Sequence, residues 1–323
     1  MLQKLKAVDW RSNVIYLIFA GIILLFSALL FDRGFLTGAN LMNIARQTAM
    51  ISIMAVGMTF VLSAEEIDLS FGSVVALSAI VTALLLRSTG SIFIAVTAGL
   101  LCGVLIGFIN GLFVARIGIP SFLVTLGMSG IVLGLARWIS HLQSIPVNNE
   151  FFTFIFGSGD IGPVPVLFIW MLLAAVIGHM VLKRTPFGRK VLATGGNKIS
   201  ALYSGVKVRS IKQAVLIINS ALAAFSGILY AGRLHGARYT LGENEVMIVI
   251  AAVIIGGTSM FGGKGTVIGS VIGALIMGIL NNGLILMGLS VDQQMIFRGL
   301  IIIVSVSLTM RYQNRCRQTR KNE

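Results

Sequence analysis

The chain has 323 residues, of which 56% are apolar types and only 11% charged, with a mean hydropathy of +0.95. A soluble globular domain carries about 25% charged residues, so most of this surface is built to face something other than water. The net charge of +14 would point to nucleic acid on a soluble chain, but here the basic residues lie in loops between apolar runs, which is a membrane-topology pattern.

In chain order, the segment 1–13 carries Lys4, Lys6 and Arg11 ahead of an apolar run. No small-residue cleavage site follows Phe31, so the run reads as a retained first span and not a signal peptide. A spanning helix needs roughly 20 mostly apolar residues. Ten candidates follow: about 14–31, 48–64, 72–87, 91–112, 119–137, 163–182, 214–231, 246–260, 266–289 and 294–310. The expected fold is an all-α integral membrane protein of about ten transmembrane helices, a single domain over 1–323. No loop is long enough to bury a core of its own. Lys and Arg collect in the N-terminal segment, at Arg116, in the loop 183–213, at Lys264 and in the tail 311–323. That bias places both termini in the cytoplasm.

One inner turn departs from this pattern. Residues 65–71 carry Glu65, Glu66 and Asp68 with no base. The turn is either an exposed acidic hairpin or a charged lip of a transport path or partner contact. Polar groups inside apolar spans cost free energy and mark candidate pathways; Asn110, Asn219, Asn281 and Asn282 qualify. Trp170 and Phe154 could stack on a polar solute, although aromatics at membrane borders commonly act as anchors. Glycines four apart (Gly103/Gly107/Gly111, Gly130/Gly134, Gly265/Gly269/Gly273) allow close helix packing, and the last set could also serve a subunit interface.

The loop 183–213 is the most informative segment. Asn197 suits an N-cap and Gly205 the left-handed position past a helix end. Between them a short helix sets Lys198 at its start and Ile199, Leu202 and Tyr203 on one side. So short a helix needs something to pack against, either lipid headgroups or a soluble partner.

Two motifs imitate nucleotide sites. Gly157, Gly159 and Gly162 have dinucleotide-fingerprint spacing but run into Pro163, without the strand and helix that give the pattern meaning. The run from Gly256 to Gly265 misses P-loop spacing by one residue, and Gly265 stands where Ser or Thr would hold magnesium. Cys102 and Cys316 are far apart, and His141, His179 and His235 are scattered. No cofactor or metal is expected on this chain and no enzyme is indicated; any ATP would be used by a partner subunit.

The residues then become familiar as a set. Ala55-Val-Gly-Met-Thr59 with Ile67-Asp68-Leu69-Ser70, the run from Thr185 through Gly195-Gly196-Asn197 to Ser204-Gly205, and Gly256-Gly257-Thr258-Ser259 through Gly265 to Asn281-Asn282 together resemble the permease subunits of bacterial ABC sugar importers of the ribose/galactose/xylose type. The resemblance runs from about residue 40 to 310. It implies an inner-membrane chain that works with a cytoplasmic ATP-binding subunit, a periplasmic solute-binding protein and a second permease chain, identical or paralogous. It places residues 197–204 where such permeases dock on the ATPase. Glu66 stands where the family usually has glycine, and Val246 and Ile248 lie where an acid is common, with Glu243 and Glu245 just upstream. The same architecture also serves nucleosides, autoinducers and branched-chain amino acids. An ion-coupled carrier would have only Arg298 and the acidic turn to work with.

Overall fold

The computed structural model describes residues 10–301, with 303 and 307; the tail 311–323, the segment 1–9 and most of the last expected span beyond 301 lie outside the described residues. The chain is almost entirely helical, in the order α1 (Trp10–Leu29), α2 (Gly38–Ser63), α3 (Phe71–Thr89), α4 (Ile92–Leu112), α5 (Ser121–Ser140), α6 (Glu150–Thr153), α7 (Val166–Arg184), α8 (Pro186–Gly196), α9 (Lys198–Tyr203), α10 (Val208–Arg233), α11 (Glu245–Ile255) and α12 (Val267–Leu286). A further helix begins at residue 291. Among the described residues seven helices are long and apolar enough to cross a membrane. Strand pairing is confined to two-residue segments, β1 (Ile145–Pro146) with β4 (Gly236–Ala237) and β2 (Asp160–Ile161) with β3 (Val164–Pro165).

Three elements differ from the sequence reading. Helix α2 starts at Gly38, about ten residues before the expected span. Its first turns carry Asn40, Asn43, Arg46 and Gln47, whose polar groups face partners within the protein and therefore dilute the apolar signal. The loop 183–213 is largely helical. Thr185 caps α8 by accepting from the Gly188 amide, and Pro186 occupies the first turn, where its missing N–H costs nothing. Helix α11 spans 11 residues, about 16 Å at 1.5 Å per residue, roughly half a bilayer core. Beyond it the Gly-rich segment continues as irregular backbone to Ser63 at the end of α2, where the Gly263 amide donates to the Ser63 carbonyl at 3.0 Å.

Helices α2, α3 and α10 form the buried centre. By contrast α4, α5 and α7 turn apolar side chains outward, among them Phe93, Leu101, Leu105, Leu123, Ile131, Leu172 and Ile177, as lipid-facing helices do. The glycine faces divide in the same way. Gly103 and Gly107 of α4 lie on α10: a Cβ at Gly103 would sit 2.5 Å from the Ser220 carbonyl oxygen, and one at Gly107 would sit 2.7 Å from the Ile217 Cα. Gly269 and Gly273 close on the backbone of Gly256 and Ala252 in the same chain, so this set serves internal packing. Gly130 and Gly134 have nothing within 4 Å among the described residues. Gly103→Leu is therefore expected to force α4 off α10 and lower stability by about 1–3 kcal/mol, the usual cost of overpacking. Gly130→Leu is expected to leave the unfolding temperature in detergent unchanged, and thermal unfolding of both variants separates the cases.

Candidate functional site: two polar centres in an apolar bundle

The first centre grows from the turn between α2 and α3. The turn is extended and is held by the start of α5: Ser121 accepts from the Ile67 amide at 3.0 Å, and Thr125 accepts from the Leu69 amide at 3.0 Å. This threading carries Asp68 into the core, where it is wholly buried. Its Oδ1 accepts from the Ser70 amide at 2.8 Å and the Ser70 hydroxyl at 2.7 Å, and its Oδ2 accepts from Asn219 Nδ2 at 2.9 Å. Asn110 Nδ2 donates to the Ser70 hydroxyl at 2.9 Å. A buried carboxylate is tolerable only with such donors. Burial pushes the Asp68 carboxyl up from its ordinary value, and the hydrogen bonds from Ser70 and Asn219 act in the opposite direction. Next to it Glu66 is buried and ion-paired with Lys212 of α10. Only Glu65 of the three acids is exposed. The turn is thus not a solvated hairpin but a clamp joining α3, α4, α5 and α10.

Around this turn the three sequence motifs meet. Gly195 packs on the Ser63 carbonyl at the end of α2, and Gly262 lies against Glu65 and Gly195. Gly262 and Gly263 have φ of +72° and +75°, and at Gly262 a side chain would also strike the Gly195 carbonyl oxygen at 2.5 Å. Thr59 donates to Ser270 at 2.7 Å, and Thr258 accepts from the Thr266 amide at 3.2 Å. The run that imitates a P-loop is therefore a backbone packing surface. In the 157–162 run Gly157 packs on the Gly232 backbone, and Gly162 lies at φ +61° in the turn between β2 and β3.

An open groove of about 930 Å³ lies at this end, bordered by Glu65, Glu66, Arg116, Lys198, Leu202 and Lys212 among others. Every segment of the groove comes from a loop that the basic-residue bias assigns to one side. Helix α9 stands at its edge. Asn197 caps it by accepting from the Ser200 amide at 3.0 Å, and Gly205 is left-handed at φ +77°. Ala201 points inward, while Ile199, Leu202 and Tyr203 are exposed, Tyr203 at 90%.

The second centre lies toward the opposite end, in a cavity of about 340 Å³ between α2, α10, α11, α12 and the helix from 291. Gln47, Tyr230, Arg233, Glu245, Asn281 and Arg298 bring polar groups to it, and Ile51, Ile248, Met277 and Ile285 supply apolar wall. The Tyr230 hydroxyl donates to Glu245 at 3.3 Å, and Arg298 donates to Asn281 Oδ1 at 2.6 Å. Arg233 makes no hydrogen bond or ion pair among the described residues. Three other arginines of this end are engaged, Arg46 with Asp160 at 2.6 Å, Arg33 with the Leu286 carbonyl at 2.7 Å and Arg137 over the Tyr239 ring at 5.3 Å, while Arg87 and Arg238 are exposed to the surroundings.

The four candidate pathway asparagines thus part company. Asn110 and Asn219 belong to the Asp68 clamp. Asn282 exchanges hydrogen bonds with Asn40 at 2.9 and 3.0 Å, locking α12 to α2. Asn281 alone of the four borders the second cavity. Trp170 is packed, stacked on Phe156 and donating to the Ile155 carbonyl at 2.9 Å, while Phe154 is exposed. Gln47, Tyr230, Arg233 and Glu245 were missed as a group. Their signal was a polar residue near the end of an apolar run on each of several spans, and nothing local says that those ends meet.

Over residues 40–306 the chain matches the family described as branched-chain amino acid transport system, permease component. The chain belongs to this family. Curated relatives match along nearly their whole length. The ribose import permease of Haemophilus influenzae is 38% identical over 88% of this chain and 89% of its own. The D-allose transport permease of Escherichia coli K12 is 36% identical over 94% and 92%, and the L-arabinose transport permease of that strain is 33% identical over 96% and 93%. No solved structure matches the chain. The protein is a transport-system permease of the bacterial inner membrane.

Proposed function

We propose that the chain forms the membrane path of an ATP-driven sugar importer, with about ten transmembrane helices and both termini in the cytoplasm. The carrying observation is the near full-length similarity to permeases named for ribose, D-allose and L-arabinose import. The polar, charged second cavity suits a hydroxyl-bearing solute better than the apolar side chain of a branched-chain amino acid. In this reading the end bearing α9 and the basic groove faces the cytoplasm. A separate ATP-binding subunit docks there, a periplasmic binding protein delivers solute to the other end, and a second permease chain completes the path. Hydrolysis belongs to the ATP-binding subunit and none to this chain.

Helix α9 supports the docking site in physical terms. A six-residue helix is unstable alone, yet it is capped at its start and holds Ile199, Leu202 and Tyr203 exposed. An apolar knob presented so firmly has a partner surface as its use. The cycle then requires ATP and the docked proteins to favour one orientation of the helices over the other, since a ligand without differential affinity shifts nothing.

Co-purification from native membranes tests this. Tagged wild type is expected to bring down an ATP-binding subunit. Leu202→Asp, which places a charge at the centre of the knob without touching the bundle, is expected to lose it while the chain remains inserted and monodisperse. Failure of the wild type to recover any ATPase would overturn the importer reading.

A further inference from the structure

We propose that the cavity bordered by Gln47, Tyr230, Arg233, Glu245, Asn281 and Arg298 is the station where the solute binds within the bundle, and that the solute carries one anionic group on a hydroxyl-rich frame, as a sugar acid does. The inference rests on the reading of the chain as a sugar permease and names the solute class that this reading leaves open.

The first reason is cost. Ionisable groups at membrane depth are expensive and are retained where they meet a partner or a pathway. Here Arg298 lies within an expected span, and Arg233 and Glu245 join it from the last residue of α10 and the first of α11, so that two guanidinium groups and a carboxylate border one cavity. Its volume, about 340 Å³, lies in the range of small-molecule sites, about 300–1,000 Å³.

The second reason is charge balance. Arg46, nearby on α2, is neutralised by Asp160. Among the charged cavity residues Arg233 and Arg298 stand against Glu245 alone, which leaves one positive charge over. Glu245 already accepts from Tyr230, and Arg298 is committed to Asn281 only through one terminal nitrogen. Arg233 has no hydrogen-bonding or ion-pairing partner among the described residues. The partly buried Arg233 guanidinium, in a cavity whose lining includes Ile51, Ile248 and Met277, offers a planar fork of donors that matches a carboxylate or phosphate in bidentate fashion. An uncharged sugar supplies hydroxyls to Gln47, Asn281 and Glu245 but leaves the surplus charge uncompensated.

The test titrates the purified full-length chain in lipid nanodiscs by calorimetry with matched pairs: glucuronate and glucose, galacturonate and galactose, ribonate and ribose, with glucose 6-phosphate as the phosphate arm. At least one acid is expected to bind ten times or more tightly than its neutral partner. A carboxylate sugar or the phosphate ester as the tighter ligand identifies which anion fits. Arg233→Gln is expected to remove that preference, and Arg233→Lys to keep most of it. Where Arg233→Gln does not yield monodisperse protein, Arg298→Gln gives the same reading. Equal binding of acid and neutral sugar in every pair, no binding by any of the seven compounds, or a preference that survives both glutamine variants would overturn the proposal. The ATPase capture by α9 is read at the other end of the molecule. The importer reading can therefore stand while this inference falls, and failure of the wild type to capture any ATPase would count against the importer reading without touching the acid-against-neutral comparison.

Discussion

Asp68→Ala is expected to be the most damaging single change in the chain. It strips the acceptors from the Ser70 amide, the Ser70 hydroxyl and Asn219 Nδ2 at a site with no access to water. Each orphaned buried donor costs about 1–3 kcal/mol, a sum comparable with the whole stability of a domain. The expected result is loss of monodisperse protein on detergent extraction. Asp68→Asn is expected to be much milder. Its carboxamide oxygen can replace Oδ1 toward Ser70, and its NH₂ can face the Asn219 Oδ1, now without a hydrogen bond, once the Asn219 amide turns over. Size-exclusion profiles and unfolding temperatures of the two variants decide the matter. Equal damage from both would mean that the negative charge itself, and not the hydrogen-bond pattern, holds the clamp.

The second large effect is expected at the Glu66–Lys212 pair, which ties the α2–α3 turn to the first turns of α10. The carboxylate is the more buried partner, with its side chain 5% exposed against 18% for Lys212. Lys212→Ala strands that carboxylate, at a cost of about 3 kcal/mol, the low end for a broken buried pair because the lysine end is partly wet. Glu66→Gln strands the less buried cation and is expected to cost less. The double variant Glu66→Gln/Lys212→Met removes both charges and is expected to recover most of the stability lost in Lys212→Ala. A double-mutant cycle on unfolding in detergent, closed with the single variant Lys212→Met, reads the coupling; additive losses would show that the pair contributes nothing to the clamp.

Much of the architecture was legible in the residues because the bilayer imposes a simple rule. A backbone without water must bond to itself, so each crossing needs a long apolar run, and such runs stand out. The reading failed where a span is polar for a reason the rule does not contain. The early turns of α2 were missed because Asn40 and Gln47 face an asparagine and a cavity inside the protein, not lipid. Helix α11 was read too long because Gly256 and Gly257 continue the apolar pattern while the backbone leaves the helix to meet Gly269.

The candidate sites divide in the same way. The short helix of the basic loop was legible to the residue, since the Asn197 cap and the Gly205 end are local chemistry and need no distant partner. The acidic turn was noticed but left open between an exposed hairpin and a lip or partner contact, because the burial of Asp68 that rules out a fully exposed hairpin depends on Ser121 and Thr125, more than fifty positions away.

By itself the sequence determined the membrane class, many of the apolar helices and the capped helix on the basic loop, all consequences of hydration and of short-range hydrogen bonding. Only the tertiary structure decided which polar side chains share a site. Asp68 and Asn219 stand 151 positions apart, as members of different helices, and nothing in hydropathy or periodicity records such a pairing. The same packing sorted four similar asparagines into a clamp, an interhelical lock and a cavity wall, because in an apolar bundle a polar group takes its role from the partner it meets.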